Sequence, residues 1–158
     1  MKRSRDNRFF SDNWPSVATV VFGLAVFCFW GYFFPHLIVE RECSQLFLWN
    51  REYFTSRMAL PGGLARYLSE FLVQFFVYIR YGAAIYALLS VAIQQLSWRI
   101  IRRVWQPAEQ VGKACPAYLY PLSFIPSLIL WYLACNLQVP MTLTVAILLT
   151  LLLMCLLP

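Results

Sequence analysis

Residues 64–103 read LARYLSEFLVQFFVYIRYGAAIYALLSVAIQQLSWRIIRR, forty positions with no proline and a single glycine, Gly82. The lack of breakers predicts one helix of about 60 Å at 1.5 Å per residue, about twice the depth of a bilayer's hydrocarbon core. Its charges decide which half crosses. Trp98, Arg99, Arg102 and Arg103 make an aromatic and basic end of the kind that faces the cytoplasm, and counting back about 20 residues puts Ile79 and Arg80 at the outer boundary. Two spans within these forty residues would carry the three arginines outside, against the positive-inside rule, so 64–103 is predicted to be a long helix containing one transmembrane helix. The remainder, 64–79, is too apolar to stand in water and needs a cover.

The cover lies just upstream. Residues 36–63 hold Glu40, Arg41, Glu42, Arg51, Glu52 and Arg57, which balance to zero and alternate with Leu46, Phe47, Leu48, Trp49, Tyr53 and Phe54. A loop without positive excess suits the outer face, and aromatics between charges suit an interfacial amphipathic helix. Pro61, Gly62 and Gly63 break any helix and serve as a hinge. Residues 46–60 are therefore expected to fold back on 64–79 as an amphipathic helical hairpin in the outer leaflet.

The rest of the chain completes a bundle. Of 158 residues 61% are hydrophobic and 13% charged, whereas a soluble domain carries about a quarter of charged residues. Residues 1–14 form a basic cytoplasmic N-terminus, and the uncharged run 15–35 that follows is long enough to cross a bilayer. No small-x-small cleavage site follows it, so it is read as an uncleaved first transmembrane helix. Residues 104–117 make a cytoplasmic loop. The third span, 118–136, has Tyr118 and Tyr120 at one interface and Trp131 and Tyr132 at the other, and Pro126 is expected to kink it. The fourth, 141–157, is apolar all round. The predicted fold is all-α, a polytopic transmembrane bundle of about four spans with both ends in the cytoplasm, placed in a bacterial inner membrane. Because the last run reaches Pro158 without a charged or aromatic anchor, the parent polypeptide is expected to continue.

The net charge of +6 is accounted for by topology and asks for no nucleic acid. Cys28, Cys43, Cys115, Cys135 and Cys155 show no CxxC spacing, His36 is the lone histidine, and neither a metal site nor a cofactor is predicted. No P-loop, dinucleotide turn, GxSxG or HExxH occurs, which leaves open whether the chain is an enzyme. Arg66, Glu70 and Gln74, four apart, would make one polar stripe on a helix, with Arg80 further along and rotated away. Ionisable groups at membrane depth suggest a substrate or proton site, but Arg66 and Glu70 can also neutralise each other as an i,i+4 pair, the plainer reading. Glu40 and Glu42 are the remaining candidate carboxylates, against a plainer reading as a solvated cluster with Arg41 and Arg51.

Residues 45–76, QLFLWNREYFTSRMALPGGLARYLSEFLVQFF, followed by a span and by WRIIRR, resemble an uncharacterised family of multi-spanning inner-membrane proteins from Bacteroidota. The features that carry the resemblance are Tyr53-Phe54, Pro61-Gly62-Gly63 and the helix from Tyr67 to Phe76. Members of that family are longer, so the resemblance implies that this chain corresponds to their N-terminal part. It implies location and architecture and no catalytic residue.

The expected role is that of a membrane scaffold or assembly subunit, or the membrane part of a longer protein. Its partners would be the lipid bilayer and other membrane subunits or further copies of itself, with Gly82-Ala83-Ala84 and Ala87 as the best small-residue contact patch. The alternatives are an enzyme acting on a lipid-linked substrate, similar in layout to multi-spanning glycosyltransferases, and a transporter component whose cavity the stripe would line.

Overall fold

The computed structural model describes the backbone of residues 3–43, 47–105 and 117–157, and side chains within 14–41, 47–105 and 119–157. The basic side chains of 1–14, the side chains of Glu42 and Tyr118 and the loop 106–116 lie outside the described residues. All regular structure among the described residues is helical. Helix α1 (Arg3–Cys28) runs into a π-helical segment, Phe29–Phe33, and after Phe34 the chain turns into α2 (Pro35–Cys43). Helices α3 (Arg51–Met58) and α4 (Gly63–Val73) form a hairpin, followed by α5 (Ile79–Trp105), α6 (Ile125–Ala134) and α7 (Met141–Leu156). Helices Trp14–Phe33 and Ile79–Trp105 are long and apolar enough to cross a membrane, while Leu119–Ala134 and Met141–Leu156 are shorter apolar helices.

Helix α5 is the axis, packed on by α1, α6 and α7. Close approach is possible because small residues sit at the crossings. Gly82 has Ile38 so near that a Cβ would come within 2.6 Å of it, and a Cβ on Gly31 would meet the Ala83 methyl at 3.6 Å. The core gathers here. Trp30 stacks on Tyr86 with ring centroids 4.3 Å apart, Phe76 lies 5.4 Å from Tyr86, and Val26, Ile38, Val73 and Met141 fill the spaces between. The Gly82–Ala83 surface offered above for partner contact is thus consumed inside the chain, because both residues are buried against its own helices.

The forty-residue helix expected over 64–103 is divided. Gln74–Val77 tightens to a 3₁₀ turn and Tyr78 is extended (φ −104°, ψ 111°), separating α4 from α5. No proline or glycine marks the break. The turn swings Phe76 into the core while Gln74, Val77, Tyr78 and Ile79 face outward. Phe76 is wholly buried there, 5.4 Å from the Tyr86 ring and within van der Waals reach of Gly82. Pro126 also departs from expectation. The run begins as a 3₁₀ helix, Ala117–Phe124, and Pro126 falls in the first turn of α6, where its missing N–H is no loss; it marks a changeover of helix type, not a mid-helix kink.

Both poles of the bundle are closed by arginines. Arg41 of α2, 5% exposed, donates to the carbonyls of Val139 (2.8 Å), Ala134 (2.8 Å) and Asn136 (2.9 Å), satisfying the C-terminus of α6 and the turn beyond it. At the opposite pole Arg103 of α5 donates to the carbonyls of Leu157 (2.5 Å), Cys155 (3.0 Å) and Met154 (3.2 Å) at the end of α7. Between them a buried uncharged seam ties α1, α5 and the 3₁₀ segment in register: the Tyr120 hydroxyl donates to the Pro15 carbonyl (2.6 Å), Gln95 to Thr19 (3.1 Å) and Gln94 to Ser123 (3.0 Å).

Candidate functional site

The hairpin of α3 and α4 carries the densest group of ionisable side chains among the described residues. Its turn follows from local sterics. Gly62 adopts φ +76°, which glycine tolerates, and a Cβ on Gly63 would strike the Arg57 carbonyl. The end of α3 and the start of α4 therefore meet backbone to backbone, and the Gly63 N–H donates to the Leu60 carbonyl (2.9 Å). Aromatic rings fill the gap: Phe54 lies edge-on to Tyr67 at 5.0 Å, and Phe47 lies 5.2 Å from Tyr67 and 5.9 Å from Phe71. On its other side α4 packs on α7 through Ala65, Ser69 and Val73, four apart and buried, with the Ser69 hydroxyl 2.8 Å from that of Thr142.

Glu70 sits between these contacts with a side chain only 7% exposed. Its Oε1 accepts from Arg66 Nε (3.0 Å) and pairs with Arg57 Nη2 (3.2 Å), while its Oε2 accepts from the Tyr53 hydroxyl (2.5 Å). Arg57 Nη2 also donates to the Tyr53 oxygen (3.0 Å), closing the group. Burial pushes the Tyr53 phenol above its usual value, and its bond to Glu70 acts in the same direction. The phenol thus stays neutral and donating at ordinary pH. Two guanidinium groups share one carboxylate, leaving one positive charge in excess.

Chemically, Glu70 is a heavily engaged acceptor, with three donors on its two oxygens. A carboxylate holding three donors, two of them guanidinium groups, anchors its neighbours. The groups left over are on the cations. Arg66 is 49% exposed and contributes only Nε to Glu70, so its Nη1 and Nη2 have no partner among the described residues.

Of the residues singled out from sequence, the structure joins Arg66 to Glu70 and sets Pro61, Gly62 and Gly63 at the turn. The stripe goes no further. Gln74 is exposed on the 3₁₀ turn and Arg80 is exposed on α5, beyond the break at Tyr78. Glu40 is exposed on α2 and shares no bond with the Glu70 group. Two members were missed, Tyr53 and Arg57. They stand four apart on α3, a spacing that puts them on one helical face, but their approach to Glu70 depends on the pairing of the two hairpin arms.

A family model described as a family of unknown function, DUF6057, matches residues 12–158. No curated protein and no solved structure matches the chain.

Proposed function

This chain belongs to the DUF6057 family, whose function is unknown, and on that premise we propose that it is an integral membrane scaffold or assembly subunit of four spans, carrying an outer-leaflet hairpin. The observation that carries this reading is where exposure falls. Val17, Val20, Val21 and Leu24 of α1, Ile129 and Tyr132 of α6, and Leu152 and Leu153 of α7 point outward, while the helix ends at both poles are closed by Arg41 and Arg103. Such flanks are costly in water and suited to lipid.

Of the two shorter apolar runs, the one that ends in α6 reaches across a hydrocarbon core and α7 covers most of it. Eight residues of 3₁₀ helix at about 2.0 Å each and ten of α6 at about 1.5 Å each give about 31 Å, the depth of a hydrocarbon core. Helix α7 supplies about 24 Å by the same rise. An aromatic belt gathers at one pole, where Trp14 and Trp98 lie 4.9 and 5.0 Å from Tyr120 and Arg102 rests over Trp98. Its neighbouring arginines support a reading with that pole on the cytoplasmic side of a bacterial inner membrane. The engagement of Glu70 with two arginines and a tyrosine supports a structural role over catalysis, and the stripe that a transporter would need ends at Glu70.

The test is membrane fractionation joined to cysteine labelling. The protein should stay in the pellet after an alkaline carbonate wash. In a background without native cysteines, Asn50→Cys and Gln138→Cys should react with an impermeant maleimide in intact cells, and Arg102→Cys only after permeabilisation. Carbonate extraction, or the reverse labelling order, would sink the reading.

A further inference from the structure

We propose that the arginines gathered on Glu70 form a receptor for the phosphate of a lipid headgroup in the outer leaflet, an inference that rests on the membrane reading above. Charge comes first. Arg57 and Arg66 together exceed Glu70 by one positive charge, and Tyr53 contributes none while its phenol is neutral.

Geometry then selects the ligand class. Glu70 holds Arg66 by Nε and so fixes the plane of the guanidinium while leaving the Nη1–Nη2 edge on a half-exposed side chain. That edge presents two parallel N–H donors, a match for two oxygens of one phosphate. Lysine in the same place would supply a point charge without the fork.

Depth selects the source. The Ser69 hydroxyl meets Thr142 in the first turn of α7, and Val73 shares a core cluster with Met141, so α4 lies against the outer end of the proposed bundle. Headgroup phosphates occupy that level. A groove of about 400 Å3, lined by Trp49, Asn50, Arg51, Phe54 and Tyr67, lies on the same hairpin, and Tyr67 directly follows Arg66 in α4. Its aromatic walls suit glycerol and the upper acyl carbons, and Arg51 adds a second cation on the rim.

Native mass spectrometry of the full chain in a neutral detergent tests this, with phosphatidylglycerol, diacylglycerol and inorganic phosphate as separate probes. The wild type should retain phosphatidylglycerol and not diacylglycerol, and millimolar inorganic phosphate should not displace the lipid. Arg66→Gln should lower lipid occupancy about tenfold, Arg66→Lys should recover only part of it, and Arg80→Gln should leave it unchanged. Because Arg66→Gln also disturbs Glu70, Arg51→Gln serves as a second probe that leaves the ion pairs intact and should weaken binding several-fold. Equal retention of diacylglycerol, or full binding by both Arg66→Gln and Arg51→Gln, overturns the site. Displacement by inorganic phosphate overturns the lipid as its source. Any of these in a chain that resists carbonate extraction leaves the membrane reading standing, whereas extraction itself removes that reading.

Discussion

Arg41 on α2 donates a 2.8 Å hydrogen bond to the carbonyl of Ala134, ninety-three positions away, and two more to Asn136 and Val139. One side chain thus closes the end of α6 and shapes the turn into α7. Arg41→Met keeps much of the volume and removes all three donors, leaving buried carbonyls unsatisfied. Destabilisation of about 3 kcal/mol is expected. Thermal unfolding of the detergent-purified protein should show the midpoint several degrees lower, with Arg41→Lys recovering part of it. An unshifted midpoint for Arg41→Met would remove the cap from any account of stability.

The Glu70 group predicts an order among variants. Glu70→Gln strips two guanidinium groups of the one carboxylate they pair with among the described residues, whereas Tyr53→Phe removes one donor of three. The first should cost about 2–3 kcal/mol and the second about 1 kcal/mol. Tryptic cleavage after Arg57, next to the turn, reports local opening. It should be fastest in Glu70→Gln, intermediate in Tyr53→Phe and slowest in wild type, and equal rates would contradict the arrangement.

The same group carries a pH dependence. The Tyr53 phenol is raised above 10.0 by burial first and by its bond to Glu70 second, so the folded hairpin favours the neutral form. Its contribution is fully present below about pH 10, the ordinary phenol value, and is lost as pH climbs through the raised value. Hydrogen exchange of α3 amides, corrected for intrinsic rates, should show protection falling above pH 10 in wild type. A similar fall in Tyr53→Phe would assign it to another group.

Gly82→Val tests whether the small-residue face is internal. The added side chain would begin 2.6 Å from Ile38 and 3.2 Å from Phe76, and overpacking of this kind costs about 1–3 kcal/mol. The expected result is a lower unfolding midpoint with no change in oligomeric state by light scattering. A changed stoichiometry at unchanged stability would return that face to a partner.

Much of this protein is determined by sequence alone, because the relevant forces act over a few residues. Long apolar runs with few breakers specify helices, Pro61-Gly62-Gly63 specifies a turn, and the spacing of Arg66 and Glu70 places them within reach on any helix. What only the tertiary structure decided are the places where distant groups compete with local preference. Phe76 packs into the core while 64–103 breaks at Tyr78, although no breaker in the sequence marks the place. Arg41 turns inward because the orphan carbonyls of α6 outbid solvent for it. Tyr53 and Arg57 join Glu70 because the two hairpin arms pair in one register, and Gly82 is spent on Ile38 because α2 crosses α5 there. None of these partners lies within a helical turn of the residue it governs, and periodicity carries no information across that distance.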